Sequence, residues 1–161
     1  LAAGGIVRIA NGCAVSAVQG SRTSLTVTGL STLAASTFVA SSAYNCSTND
    51  PLEVLVDVAI ATTNTPTGNT KVDVFAQASL DGTNYSSGPT SGTDTTDEAD
   101  LHYLGSVPVA SSTTTHRRVF PVSSAFGGVL PAYFKVVIKN DLGVALTSGA
   151  VYTAEVLGSV A

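Results

Sequence analysis

The sequence predicts an all-β protein: an antiparallel β-sandwich, in plain or jelly-roll form, with little or no helix. Residues 52–62, 71–80 and 132–139 alternate apolar and polar side chains at the period of a half-buried strand. Charged residues make up only 11% of the chain, and Thr, Ser, Ala and Val fill their place. β-Branched and small hydroxyl side chains suit pleated surfaces and turns, and a helical bundle would need more Glu, Lys and Leu. Turn signals recur between short runs, among them Asn11-Gly12, Asp81-Gly82 and Gly127-Gly128. At 161 residues the chain reads as one sandwich domain, 1–161, with residues 1–12 as an extended N-terminal arm. Such a length supports a two-layer core without metal or disulfide staples.

Taken in order, residues 6–9 and 15–18 are short strands around Asn11-Gly12. Residues 24–28 set Leu25 and Val27 against Ser and Thr and stop at Gly29, and 30–35 form a helical turn or loop. A strand over 37–44 leads into a polar turn at 45–51. In 52–62, Leu52, Val54, Val56, Val58 and Ile60 share one face, while Glu53 and Asp57 mark the other as partly solvated. Residues 63–70 read as a hairpin-type loop, which would make 71–80 the antiparallel neighbour of 52–62. Within 71–80, Val72, Val74, Ala76 and Ala78 alternate with Lys71, Asp73, Phe75 and Gln77. The run 86–100, SSGPTSGTDTTDEAD, is too hydrophilic to pack and reads as a long mobile or functional loop. Strands at 101–109 and 113–122 precede a turn at 125–128. Phe134, Val136 and Ile138 then face the core, and 150–157 closes the domain.

Composition also bounds the partners. Net charge is −4, which disfavours nucleic acid, since phosphate binding needs clustered cations. No apolar stretch approaches a membrane span, and the opening LAAGGIVRIANG lacks the basic and apolar regions of a signal peptide. With few charges to hold neighbours apart, the surface favours close packing against other proteins. Two cysteines, Cys13 and Cys46, read most simply as reduced thiols. A disulfide between them would contribute roughly 3–4 kcal/mol and imply an oxidising environment.

No catalytic, cofactor or metal site is expected. Asp94, Asp97, Glu98 and Asp100 could supply calcium with oxygens, but without the EF-hand order they read as a solvated loop. His102 and His116 are the only imidazoles, and no Gly-x-Ser-x-Gly elbow accompanies them. Glu53 and Asp57, four apart on a strand, are too far separated for a glycosidase pair. Asp73 and Glu155 complete that inventory of carboxylates. Tyr85, Tyr103 and Tyr133 could form a sugar platform, although core-edge packing is the simpler use. Arg117-Arg118 stands out: neighbouring strand residues point to opposite faces, so one should face out and the other lie at an edge or interface.

From Lys71 onward, VFAQASLDGTNY, LHYLGSVPV and RRVFPVSSAFGGVLPAYFKVVIKNDLGVAL resemble small structural proteins of tailed bacteriophages. The resemblance covers a little over half the chain and supplies no catalytic residue. It implies a β-sandwich virion protein, assembled in the host bacterial cytoplasm, either a capsid decoration (cement) protein or an accessory of the tail, neck or fibre. The expected partners are the major capsid protein or other virion proteins, and further copies of this chain in a homo-oligomer. Arg117, Arg118, Lys135 and Lys139 are the expected interface cations. A carbohydrate- or receptor-binding module is the alternative, and an enzyme is not expected.

Overall fold

The computed structural model describes residues 5–8, 14–93, 95–110 and 113–160. Its strands are β1 (Gly5–Arg8), β2 (Ala14–Gln19), β3 (Thr23–Leu25), β4 (Phe38–Ala40), β5 (Tyr44–Asn45) and β6 (Glu53–Ala61). They continue with β7 (Lys71–Ser79), β8 (Ser91–Gly92), β9 (His102–Pro108), β10 (His116–Pro121), β11 (Tyr133–Asn140) and β12 (Ser148–Val160). Among the described residues the only helical pieces are 3-10 turns of three or four residues.

All pairings are antiparallel, and they follow the plan of one long hairpin rolled up. β2 pairs with β12, β4 with β11, β6 with β10, and β7 with β9. Rolling then brings β12 beside β6 and β11 beside β7. The result is two sheets, β1-β2-β12-β6-β10 and β8-β4-β11-β7-β9, stacked as a jelly roll. β3 continues β2 along β12, and β5 continues β4 along β11. Between the halves of the second pair, Ser41 takes over the ladder: its N–H donates to Val136 and its hydroxyl accepts from the Val136 N–H. The Asn11-Gly12 turn lies outside the described residues.

The alternation in the sequence identifies the core correctly. Val54, Val56, Val58, Val72, Val74, Phe134, Val136 and Ile138 are all fully buried between the sheets. Leu52 does not join them: it precedes β6, beyond the side chains that the facing sheet covers, and is 56% exposed.

The expected β6–β7 hairpin is not formed. The two strands belong to opposite sheets, and residues 63–70 cross between them. The Thr67 and Gly68 N–H groups both donate to the Leu142 carbonyl, which fastens the crossing. Period-2 patterning states which face a strand buries, and two such faces can be satisfied by stacking as well as by lateral pairing.

Most of the polar run 86–100 is exposed, as its composition suggests, yet the run is fastened to the sheet rather than standing clear of it. Phe38, Phe75, Leu101 and Val137 form a second apolar cluster on the outer side of the β4-β11-β7 sheet. Gln77 Nε2 donates to the Ser86 and Gly88 carbonyls, at 2.9 and 3.2 Å. β8 adds to the sheet beside β4. Thus Asp73, Phe75 and Gln77, the expected half-exposed face of β7, are buried.

Two turns are built as the sequence suggests. The Asp81 carboxylate accepts from the N–H groups of Thr83 and Asn84 at 2.8 Å, with Gly82 at φ +76°. These bonds hold that carboxyl well below the usual range, the Asn84 N–H contributing most. The turn after β10 is a 3-10 piece, Ser123–Phe126, ended by Gly127 at φ +70°. Glu53 anchors it, accepting from both the N–H and the hydroxyl of Ser123.

Candidate interaction surface

The loop that covers one sheet leaves the two outer faces unlike. Opposite it, the outer face of β12, β6 and β10 presents Leu55, Asp57, Val119, Tyr152 and Ala154, with Arg117 at its margin. Register sets this grouping: Asp57 lies between Tyr152 on β12 and Val119 on β10. Arg22, in the bend between β2 and β3, stacks its guanidinium 3.3 Å from the Tyr152 ring centre. Its Nε meets Asp57 Oδ2 at 2.9 Å, and Arg117 Nη1 approaches the same oxygen at 3.5 Å. Asp57 Oδ1 is buried and has no hydrogen-bond partner. A depression of about 100 Å³ opens beside it, walled by Leu55, Val119 and Ala154. Val119 is 52% exposed there. The patch therefore combines two cations, one carboxylate and exposed aliphatic surface.

Arg118 points the other way, as strand alternation requires. Phe120, two residues on, is in the core, and Arg118 stays at the rim, its guanidinium 5.7 Å from the Phe120 ring. Arg118 Nη1 donates to the Ser106 carbonyl on β9 at 2.9 Å. β9 and β10 are the edge strands of the two sheets. This arginine closes the open edge between them.

The four cations expected at one interface are thus dispersed. Lys135 and Lys139 lie on the opposite outer face, on β11. Lys135 Nζ sits 4.1 Å over the Tyr85 ring. Lys139 Nζ reaches both Glu98 oxygens at 2.9 Å and Asp141 at 3.6 Å, and its side chain is only 15% exposed. Desolvation pulls its pKa down, but the Glu98 and Asp141 interactions more than offset it, so the ammonium is held charged. It is an internal clamp on the loop.

Other expected residues fall as follows. Glu98 is committed to Lys139, and among the described residues no three His, Cys, Asp or Glu gather as a metal site. Asp94 lies outside those residues. His102 packs 4.5 Å from the Phe126 ring centre, while His116 Nε2 lies 3.3 Å from Thr114 Oγ1. Tyr103 meets Phe75 edge-on while remaining 52% exposed, and Tyr133 lies against Gly82. Cys46 is a buried free thiol, and Cys13 is outside the described residues. Burial, then Glu155 and Glu53, push the Cys46 thiol up to about 12.

Sequence reasoning missed Arg22, whose isolated position in a Ser/Thr stretch gives no signal. Glu155 stands in the inventory of carboxylates, but its position does not: it sits on the core-facing side of β12 in register with Val54. A charge in phase with Val151 was the available clue. Glu155 Oε1 accepts from Tyr44 Oη at 2.8 Å, and Oε2 from Asn49 Nδ2 at 2.9 Å.

No family model and no curated protein matches this sequence.

Proposed function

We propose that this chain is a structural virion protein of a tailed phage, a decoration protein that sets the outer face of β12, β6 and β10 against the head. The observation that carries the reading is the unlike pair of outer faces. One is covered by the chain's own loop; the other holds Arg22, Asp57, Arg117 and Val119 around an open depression. Arg is favoured at interfaces because its planar fork pairs with carboxylates while its stem packs on apolar surface. The resemblance of the chain from Lys71 onward to phage structural proteins supports the same class. So does the low charge density, which lets equivalent copies pack closely. The jelly roll is shared by capsid and lectin domains, so the surface rather than the fold selects the role.

The test is binding of purified protein to particles that lack it. Changing Arg22 and Arg117 together to Ala should weaken binding about tenfold or more, with Lys135→Ala as the matched control on the opposite face. Equal loss in the control would contradict the assignment of the face. Docking to tails or fibres alone would move the protein to an accessory role there while keeping the same surface.

A further inference from the structure

Between the sheets, at the end bounded by the β2–β3 bend, lies a cleft of about 330 Å³ lined by Ser21, Thr23, Tyr44, Asn49, Thr153 and Glu155. It is built from four separate stretches of chain. Thr23 and Thr153 are register partners, and Thr153 lies opposite Val56, so both side chains share the core-facing side. One step along β12, Glu155 carries that side to the end of the inter-sheet space.

The Glu155 carboxylate is held by neutral donors alone, Tyr44 Oη and Asn49 Nδ2. Among the described residues no Lys or Arg pairs with it; the ion pairs involve Asp57, Asp73, Glu98 and Asp141 instead. A partly buried carboxylate without a countercharge is costly. Its field is felt nearby: Tyr44 is raised above its ordinary value by burial and by Glu155, and Glu155 also contributes to the raised Cys46.

What the cleft still offers follows from which groups are already used. The Tyr44 O–H already donates to Glu155 Oε1, so its oxygen can only accept. Asn49 has turned its amide nitrogen to the same carboxylate, which leaves its carbonyl oxygen to accept. The carboxylate keeps unused lone pairs on both oxygens. A matching ligand must therefore bring donors and positive charge together and need few acceptors.

We propose that this cleft is a binding site for a primary alkylammonium group, with Glu155 as the countercharge and Tyr44 Oη and Asn49 Oδ1 as further acceptors. A free amine and a lysine side chain of a neighbouring protein present the same group. The site lies at the open end of the inter-sheet space, and its charged group, Glu155, is not part of the outer face assigned to particle binding.

The test is a titration of the full chain followed by amide chemical shifts, with three probes that separate charge from donors. n-Butylammonium should give saturable shifts at Thr23, Tyr44, Asn49 and Glu155. Tetramethylammonium, charged but without N–H, and n-butanol, a donor without charge, should not. Glu155→Gln should weaken butylammonium binding about tenfold or more, since the charge-assisted bonds are lost. Lys135→Ala, on the other sheet's outer face, should leave it unchanged. A lysine analogue capped at both backbone ends, run beside spermidine, distinguishes the two sources by which binds more tightly. The proposal fails if butylammonium gives no saturable shifts, if tetramethylammonium reproduces them, or if Glu155→Gln binds equally well. The probe comparison on the unaltered chain stands even where that variant does not fold.

Discussion

Arg118 on β10 donates to the Ser106 carbonyl on β9 at 2.9 Å, joining the edge strands of two different sheets. Its neighbour Arg117 turns to the outer face and Asp57. Two adjacent residues of one type thus have separate duties, and they should separate in experiment. Arg118→Ala should lower stability by about 1 kcal/mol, or about 2–4 °C in Tm for a chain of this size. Arg117→Ala should stay within about 0.5 kcal/mol of the parent. Thermal unfolding of the two single variants checks this, and equal losses would refute the division.

Val56 lies at the centre of the inter-sheet core with no exposed surface. Val56→Asp would place an unpaired carboxylate among Val and Phe side chains, and the chain should fail to fold. A soluble variant with the parent's far-ultraviolet circular dichroism would show that the face is assigned wrongly.

These two cases mark how far the sequence could be read. Val54, Val56 and Val58 announce their buried face through alternation alone, because strand geometry converts order into side. Lateral pairing is not written that way: β6 and β7 look like a hairpin, yet the crossing at Thr67 and Gly68 sends them to opposite sheets. The loop 86–100 reads as solvated, since its few anchors depend on partners far away in the chain: Gln77 for its carbonyls and Lys139 for Glu98. The cluster of Arg22, Asp57 and Arg117 is likewise assembled by strand order. Arg117-Arg118 was visible as a pair, but only the roll of the sheets shows which one meets Asp57.

The Lys139–Glu98 pair should govern how firmly that loop stays down. Glu98→Gln removes the charge from a half-buried clamp and should cost about 1–3 kcal/mol of local stability. Hydrogen exchange should speed up across residues 86–100 while β6 and β11 keep their protection. Unchanged exchange in the loop would mean that Leu101 and Gln77 suffice.

Cys46 predicts an alkaline weakness. Its folded pKa, pushed up to about 12 by burial and by Glu155 and Glu53, lies above the ordinary 9.0. Above pH 9 the unfolded thiol releases its proton while the folded one keeps it, so deprotonation favours unfolding. This contribution is complete below pH 9 and is lost as pH rises toward 12. Denaturant midpoints should fall across that window, and Cys46→Ser should flatten the fall. Alkylation of Cys46 in the native protein at pH 8 should be slow, because little thiolate is present. Rapid native alkylation would contradict the buried placement.

The central claim is that this chain is part of a phage head, present in many equivalent copies. Quantitative mass spectrometry of purified phage particles produced with this chain measures what the proposal expects. A fixed ratio to the major capsid protein, of the order of one copy per one or a few capsid subunits, is the expected result. Absence from the particle, or only the few copies typical of a tail or neck component, would contradict it.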